Sequence, residues 1–221
     1  MAHKDMAPND SADSRTEPEP EAGRAELRRA AFLNAARDVF LEYGYEAANM
    51  AEIVKRAGGS LSTLYAQFGG KRGLFEAMID SRVGELTEQM QIERAAHAPL
   101  KEGLRRIGER FMTKLCEPES LDVFRLMVGQ AKKFPDIADS FARRGPERVR
   151  TALTEYLRDR ADAGEIRIRN FDIAAAVFFD LVRARIHFRA LLDISYTPTP
   201  AEINETVERA VNVFLGGIEA S

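Results

Sequence analysis

The stretch AGGSLSTLYAQFGGKRGLF, residues 57–75, contains five of the fifteen glycines in the 221-residue chain. Ser60 predicts the N-cap of a short helix, because a serine oxygen can accept a hydrogen bond from a free N–H group of the first turn. Leu61, Leu64 and Phe68 follow at helical spacing and predict the buried side of this helix. Glycine pairs before and after the segment limit the helix to about two turns.

The opposite side of this short helix is small and polar. At about 100° per residue, Ser62, Thr63 and Ala66 point away from the predicted buried side, and Tyr65 and Gln67 lie on its flanks. Such a surface suits contact with another molecule better than it suits burial in a core.

Two helices precede this segment. From residue 24, apolar side chains recur at three- and four-residue spacing as far as Gly44, which is a natural helix stop. Asn49 is the predicted N-cap of a second short helix, which ends at Gly58. Three short helices with a glycine-containing turn between the second and third are typical of a helix-turn-helix, whose third helix lies in the DNA major groove. A longer fourth helix is predicted from residue 71 to about residue 94.

Positive charge is concentrated in this part of the chain. Residues 24–75 carry eight basic and five acidic side chains, whereas the whole chain has a net charge of -3. Lys71 and Arg72 stand at the start of the fourth helix, where the helix dipole disfavours cations. Beside the free N–H groups of a helix start these cations would form a phosphate site, and the alternative is a solvated basic loop.

A resemblance to a known family covers residues 32–79, which read FLNAARDVFLEYGYEAANMAEIVKRAGGSLSTLYAQFGGKRGLFEAMI. This segment resembles the DNA-binding domain of TetR/AcrR-family repressors. The residues at the family's motif positions are Gly44, Tyr45, Ile53, Ala57, Gly58, Ser60, Thr63, Leu64, Tyr65, Phe68, Lys71, Leu74 and Phe75. The chain departs from the family at Gly59, where valine is common, and at Leu61, where a basic or polar residue is frequent.

The resemblance implies a set of contacts with double-stranded DNA. The predicted DNA-binding residues are Asn49, Ser60, Ser62, Thr63, Tyr65, Ala66, Gln67 and Lys71. Asn49 and Lys71 would contact phosphates. Thr63 and Tyr65 would reach the DNA backbone or the bases, and Gln67 would make a polar contact with a base edge.

The remainder of the chain is also predicted to be helical, so the fold class is all-α, a helix-turn-helix domain followed by a helical bundle. The predicted helices cover about residues 99–116, 121–133, 136–163, 172–192 and 200–217. The predicted organisation is a disordered acidic tail at residues 1–23, a DNA-binding domain at 24–75, and an effector-binding and dimerisation domain at 76–221.

The second domain resembles the AefR-like branch of the family in two segments, FRLMVGQAKKFPDIADSFARRGPERV at residues 124–149 and VFFDLVRARIHFRALL at 177–192. The resemblance implies a homodimer built through the last two helices and a pocket for a small apolar or amphipathic effector. The predicted effector-binding residues are Phe111, Leu115, Phe124, Met127, Phe141, Phe178, Phe179, Arg183 and His187. Each phenylalanine has an alternative interpretation as an ordinary core residue.

Asp180, Arg183 and His187 lie along one side of a predicted helix at i, i+3 and i+7. One interpretation is an ion pair within the helix, with solvated arginines around it. The other places Arg183 or His187 on a polar group of the effector. The sequence leaves both open.

The dimer is predicted to use residues 172–192 and 200–217, because two neighbouring helices with broad apolar sides exceed what one small domain needs to cover. The last helix has a strong start at Thr199 and Pro200. Val211 and Phe214 belong to its apolar stripe, and aspartate at either position is expected to weaken the dimer.

Several classes of function are disfavoured by composition. One cysteine and three scattered histidines provide neither a disulfide framework nor a metal-binding pattern, and no cofactor motif is present. With no catalytic pattern, no apolar run long enough to span a membrane and no secretory signal, a cytoplasmic non-enzyme is expected. Two functions remain open. The favoured one is a repressor of a palindromic operator released by an effector, and the alternative is a helical protein-interaction module or a TetR-like activator.

Overall fold

The structure, a computed structural model, describes residues 21–96 and 98–218. Every regular element within these ranges is helical, which confirms the predicted fold class. The helices are α1 Glu21–Ala47, α2 Met50–Ala57, α3 Leu61–Phe68, α4 Lys71–Ala96, α5 Leu100–Leu115, α6 Pro118–Gln130, α7 Pro135–Ala142, α8 Arg148–Asp162, α9 Phe171–Arg183, α10 Ile186–Leu192 and α11 Pro200–Ile218. The predicted tail, residues 1–23, lies outside the described residues except for its last three, which begin α1.

The local signals that delimit the first three helices are confirmed. The backbone leaves helical geometry at Gly44, where φ is 78°. The Asn49 side chain caps α2 by accepting a hydrogen bond from the backbone N of Ala51 at 2.8 Å. Ser60 caps α3 by accepting from the backbone N of Thr63 at 3.1 Å. These caps determine where α2 and α3 begin.

The side of α3 that packs inward is shorter than predicted. Leu64 and Phe68 are buried, but Leu61 is 43% exposed, so its assignment to the core was wrong. Leu61 is the first residue of a two-turn helix, and the core contact of α3 is made one and two turns later, where Phe68 meets Phe32 edge to face at 6.1 Å. A Cβ atom at Gly59 would lie 2.9 Å from Phe32 Cζ, so a larger residue there requires the Phe32 ring to shift.

Helix α4 belongs to both domains. Its first turns pack Leu74 and Phe75 into the core of the N-terminal domain, and Val83 and Met90 are buried further along. Tyr45, just after the break in α1, packs against Phe134 of the segment between α6 and α7 with ring centroids 5.5 Å apart. Helix α4 therefore contacts both α3 and α8.

Two predicted helices are interrupted. The helix predicted at 136–163 contains a π-helical turn, Arg143–Glu147, with Pro146 inside it. Proline has no N–H to continue the α-helical pattern, and the widened turn accommodates it. The helix predicted at 172–192 breaks after Arg183, and α10 then runs beside α6, where Arg125 donates hydrogen bonds to the carbonyls of Ala190 and Leu191 at 2.5 and 3.0 Å.

The start of α11 is confirmed, but its apolar stripe lies inside the protomer. Thr199 N donates to Glu202 Oε2 at 2.8 Å, and Glu202 N donates to Thr199 Oγ1 at 3.2 Å, which is a complete capping box. Val211 and Phe214 are buried against the rest of the chain, and Phe214 packs on Phe178 at 5.3 Å. Their assignment to a dimer surface is corrected, because the protomer itself covers them.

Candidate DNA-binding surface and effector cavity

The outer side of α3 is an exposed surface. Ser62, Ala66 and Gln67 are exposed, Tyr65 is 51% exposed, and Thr63 is half-buried. The exposed Leu61 joins this surface as an apolar residue that sequence reasoning had placed in the core. The surface offers a phenol, an amide, hydroxyls and methyl groups, which are the group types that read base edges and the thymine methyl in the major groove.

The hydroxyl groups at the start of α3 form one cluster. Ser60 Oγ lies 2.8 Å from both Ser62 Oγ and Thr63 Oγ1. These contacts orient the hydroxyls before a ligand arrives. At the start of α2, Asn49 uses its carbonyl oxygen for the cap, so its amide N–H groups remain the part that can donate to a phosphate.

The basic pair at the start of α4 is engaged within the protein. Lys71 Nζ donates to the carbonyls of Tyr45 and Glu46 at 2.9 and 2.7 Å, and burial lowers the pKa of Lys71 despite the nearby Glu46. Two of its three N–H groups are thus used to fasten the end of α1 to α4. Arg72 pairs with Glu76 at 3.0 Å and with Asp136 at 3.3 Å. The third N–H group of Lys71 can still donate to a phosphate. The contact between Lys71 and a DNA phosphate stays a prediction.

Two further cations lie on the same domain and were not singled out from the sequence. The Arg29 guanidinium sits 5.0 Å from the centre of the Phe68 ring, at the end of α3. The Lys55 side chain on α2 is 80% exposed and lies 3.8 Å from Glu52. Exposed cations beside a recognition helix strengthen attraction to DNA at any sequence, because they attract the phosphate backbone.

A cavity of about 370 Å³ lies in the second domain. Seven of the predicted effector-binding residues line it: Phe111, Leu115, Phe124, Phe141, Phe179, Arg183 and His187. Helix α4 contributes Ile79, Val83 and Leu86 to its wall, and the π-helical turn contributes Gly145 and Pro146. The wall is mainly aromatic and aliphatic and also carries charged side chains, among them Glu147 and Asp180. A predominantly apolar wall is typical of a small-molecule site.

Two predicted residues are not part of this wall. Met127 and Phe178 are both buried in the core, and Phe178 packs against Phe179 and Phe214. The prediction is corrected for these two positions. Phe178 and Phe179 are adjacent in the sequence but point in different directions from α9, so only Phe179 reaches the cavity.

Arg183 and His187 take different roles at the cavity wall. Arg183 Nη2 donates to Asp180 Oδ1 at 2.6 Å, which is the ion pair of the first interpretation, and both side chains are substantially exposed. His187 is buried, with its ring packed edge to face on Phe124 at 5.5 Å. Burial, aided by the charge of Arg183, lowers the pKa of His187 to about 4, so the imidazole is neutral at pH 7.

Sequence reasoning missed three cations in the wall. Arg82, Lys114 and Arg150 line the cavity. Arg150 Nε lies 2.9 Å from Asp172 Oδ1 without an aligned hydrogen bond, so its charge is neutralised there. Arg82 and Lys114 lie where α4, α5 and the start of α6 meet, at a polar end of the cavity that borders a groove lined also by Glu85, Glu117 and Glu119.

Two kinds of site were not found among the described residues. No helix in these ranges combines the length and apolar character needed to cross a membrane. Across the same residues, no group of histidine, cysteine and carboxylate side chains is arranged to hold a metal ion.

Comparison with known proteins matches both domains. Residues 32–78 match the family described as bacterial regulatory proteins, tetR family. Residues 102–217, more than half of the chain, match the AefR-like transcriptional repressor, C-terminal domain. The chain belongs to the TetR family of transcriptional regulators, in its AefR-like branch, and such proteins are DNA-binding regulators and not enzymes.

Individual relatives agree along most of the chain. The uncharacterised regulator YvkB of Bacillus subtilis is 25% identical over 191 residues, which cover 85% of this chain and 95% of YvkB. A TetR-family regulator from Mesorhizobium loti has a crystal structure that aligns with a TM-score of 0.76 and 23% identity, over 90% of this chain and 99% of that one. The flavonoid-responsive regulator FrrA aligns with a TM-score of 0.67 and 27% identity, over 89% and 97% of the two chains.

Proposed function

We propose that this protein is a homodimeric repressor that binds a palindromic operator and is released by a small apolar or amphipathic molecule. The observation that carries the proposal is that α4 forms part of the cavity wall and also begins at the end of the exposed α3. The family described as AefR-like repressors supports repression, and the flavonoid-responsive FrrA supports control by a small molecule.

Operator recognition follows from the position of α3. In a two-fold dimer, two copies of α3 enter successive major grooves about 34 Å apart, which requires a palindromic site with half-sites one helical turn apart. Tyr65 and Gln67 would contact the bases or the backbone, while Asn49 and Lys71 would fix the register on phosphates.

Variants of α3 and α4 should separate base reading from phosphate binding. Gln67→Ala is expected to reduce the preference for the operator over mismatched sites by about ten-fold, since one polar base contact is lost. Lys71→Ala should lower affinity on every sequence and make the salt dependence shallower by about one phosphate. Fluorescence anisotropy with selected and scrambled duplexes at several salt concentrations measures both. Wild-type affinity no better than non-specific binding would favour a protein-interaction module instead.

The dimer surface is proposed on the outer sides of α9 and α11. Ile173 and Val177 on α9 and Val213 on α11 are exposed apolar side chains on the helices that the resemblance assigns to dimerisation. The buried apolar stripe of α11 cannot form the dimer interface unless the packing within the protomer is disrupted. Apolar residues on adjacent exposed helices are the usual content of such an interface.

Val213→Asp is expected to weaken dimerisation at least about ten-fold, because it would place a charge without a partner in the interface. Sedimentation velocity over a range of protein concentrations measures the shift from dimer to monomer. Leu27→Asp is a matched control, since Leu27 on α1 has the same 61% exposure as Val213. A wild-type protein that is monomeric at micromolar concentration contradicts the proposal.

A further inference from the structure

Arg82 of α4 stands between the cavity and the DNA-binding domain. It lines the cavity, and its side chain is 19% exposed. Its terminal nitrogens lie 2.6 Å from Glu119 and 3.8 Å from Glu117, on opposite sides of Pro118 at the start of α6. Its Nε is buried and has no hydrogen-bond acceptor among the residues that the structure describes.

Lys114 of α5 forms a second cation at the same end of the cavity. Its Nζ lies 2.6 Å from Glu85 and 3.2 Å from Glu117, so Glu117 is shared with Arg82. Burial disfavours the charged form of Lys114, but the hydrogen bonds to Glu85 and Glu117 outweigh it and raise the pKa. Lys114 is therefore charged at neutral pH, and the shared partner Glu117 shows that one carboxylate can reach both cations.

The Arg82 side chain in the cavity wall has one donor, Nε, without an acceptor among the described residues. A buried N–H without an acceptor is unfavourable, and a carboxylate can bind an arginine through two parallel hydrogen bonds. A carboxylate would accept two charge-assisted hydrogen bonds from the guanidinium, whereas a neutral alcohol would accept only one. The remaining wall, with Ile79, Val83 and Phe111, requires the rest of the ligand to be apolar.

We infer that the effector is an apolar carboxylate, aliphatic or aromatic, whose carboxylate binds Arg82 in competition with Glu119. The inference rests on the proposed function, because it identifies the chemical class of the molecule that occupies the proposed cavity. A volume of about 370 Å³ lies near the lower end of the range for drug-sized ligands, so the ligand is a compact acid.

Competition between the ligand carboxylate and Glu119 for Arg82 connects the cavity to the DNA-binding domain. Glu119 Oε2 also lies 2.9 Å from Arg37 Nη1 of α1, so Arg37, Glu119 and Arg82 form a continuous chain of charges from α1 through α6 to α4. A ligand carboxylate bound to Arg82 weakens the ion pair between Arg82 and Glu119. The attachment of α1 to the second domain then loosens, which changes how the two copies of α3 are presented.

The test measures the binding of two matched pairs of probes to the full-length protein by isothermal titration calorimetry. The pairs are decanoate with 1-decanol, and 2-naphthoate with 2-naphthalenemethanol. At least one acid is expected to bind about ten-fold more tightly than its alcohol, because of the charge-assisted contact. Arg82→Gln should remove this preference and leave alcohol affinity unchanged. Arg94→Gln is the matched control, since it removes the same charge from α4, but Arg94 pairs with Glu155 and Asp159 outside the cavity, and it should keep the preference.

Glu119→Gln distinguishes binding from folding. It removes the competing carboxylate, so it should raise affinity for the acid several-fold without changing that for the alcohol, an outcome that general destabilisation cannot produce. Equal affinity of acid and alcohol for the wild type, a preserved preference in Arg82→Gln, or no binding by any probe would overturn the inference. Operator binding by the ligand-free wild type is measured separately, and its loss would overturn the proposed function instead.

Discussion

Gly73→Ala is expected to weaken operator binding at least about 100-fold and to lower the free energy of unfolding of the N-terminal domain by roughly 3–5 kcal/mol. A Cβ atom on Gly73 would lie 1.8 Å from the carbonyl oxygen of Phe68 and 3.0 Å from its carbonyl carbon. The clashing atoms belong to the backbone at the end of α3, so no side-chain rotation can relieve the overlap. Helix α3 must therefore move away from α4.

This movement would disrupt the packing that orients the recognition surface. Phe68, Leu74 and Phe75 are all buried on either side of the junction, and they would lose contacts together. Gly84→Ala is the matched control, because Gly84 lies in the same helix and its Cβ would meet nothing within 4 Å. Alanine there should be neutral or stabilise α4 by about 0.5–1 kcal/mol.

Thermal unfolding followed by circular dichroism and operator titration by fluorescence anisotropy measure the two effects. The result that contradicts this prediction is a Gly73→Ala protein that binds the operator as the wild type does, with Gly84→Ala behaving identically. Such a result would mean that α3 and α4 can separate at this junction without loss of the recognition surface.

The features that could be predicted from the sequence are those that depend on near neighbours in the chain. The caps at Asn49 and Ser60 and the capping box at Thr199 each involve atoms at most three residues apart. The ion pair of Asp180 and Arg183 is equally local. The resulting helix pattern is typical of a helix-turn-helix, and the family resemblance was needed to assign DNA contacts to particular residues.

The wrong predictions concern which neighbour an apolar side chain meets. The apolar stripe with Val211 and Phe214 could pack against a partner subunit or against the protomer's own core. In the structure both residues are buried in the protomer's core. Leu61 follows helical spacing, but the core extends only to the later turns of α3. Helical periodicity identifies an apolar side without identifying what covers it.

The polar end of the cavity could not be located from sequence spacing. Arg82 meets Glu119 of α6 and Glu117, which precedes that helix, and no local pattern marks the three residues as partners. The π-helical turn had one visible signal, Pro146 within a predicted helix, which indicates a local distortion. The position of that turn against the cavity depends on how α7 and α8 pack on α4.

The π-helical turn connects the cavity to α4 through Arg144. Gly145 and Pro146 line the cavity, while Arg144 donates to Asp80 at 2.6 Å and to Glu76 at 2.9 Å on α4. Burial would raise the pKa of Glu76, but hydrogen bonds from Arg72 and Ser140 and the charge of Arg144 lower it. Glu76 is therefore ionised at neutral pH and available to hold the turn. A ligand that displaces Gly145 or Pro146 is therefore expected to shift α4 through the contacts of Arg144.

Arg144→Gln is therefore expected to abolish the effector's influence on DNA binding while preserving the binding of each ligand alone. Coupling of about 1–3 kcal/mol corresponds to operator affinity that falls about 5- to 150-fold when effector binds, and the variant should show a change below about two-fold. The reason is that an effector shifts the equilibrium only through contacts that differ between the two states. Arg143→Gln is the matched control, because Arg143 pairs with Asp139 within its own segment and should keep the full response.

Operator titrations with and without the acid that most weakens the wild-type complex measure this coupling, and calorimetry confirms that each variant still binds that acid. Loss of acid binding in Arg144→Gln would instead place Arg144 in the binding site. An undiminished response would show that the cavity acts on α3 without the π-helical turn. In that case the α4 residues of the cavity wall and the chain of charges through Arg37, Glu119 and Arg82 are further connections. If the chain of charges carries the coupling, Glu119→Gln should reduce the response even though it strengthens acid binding.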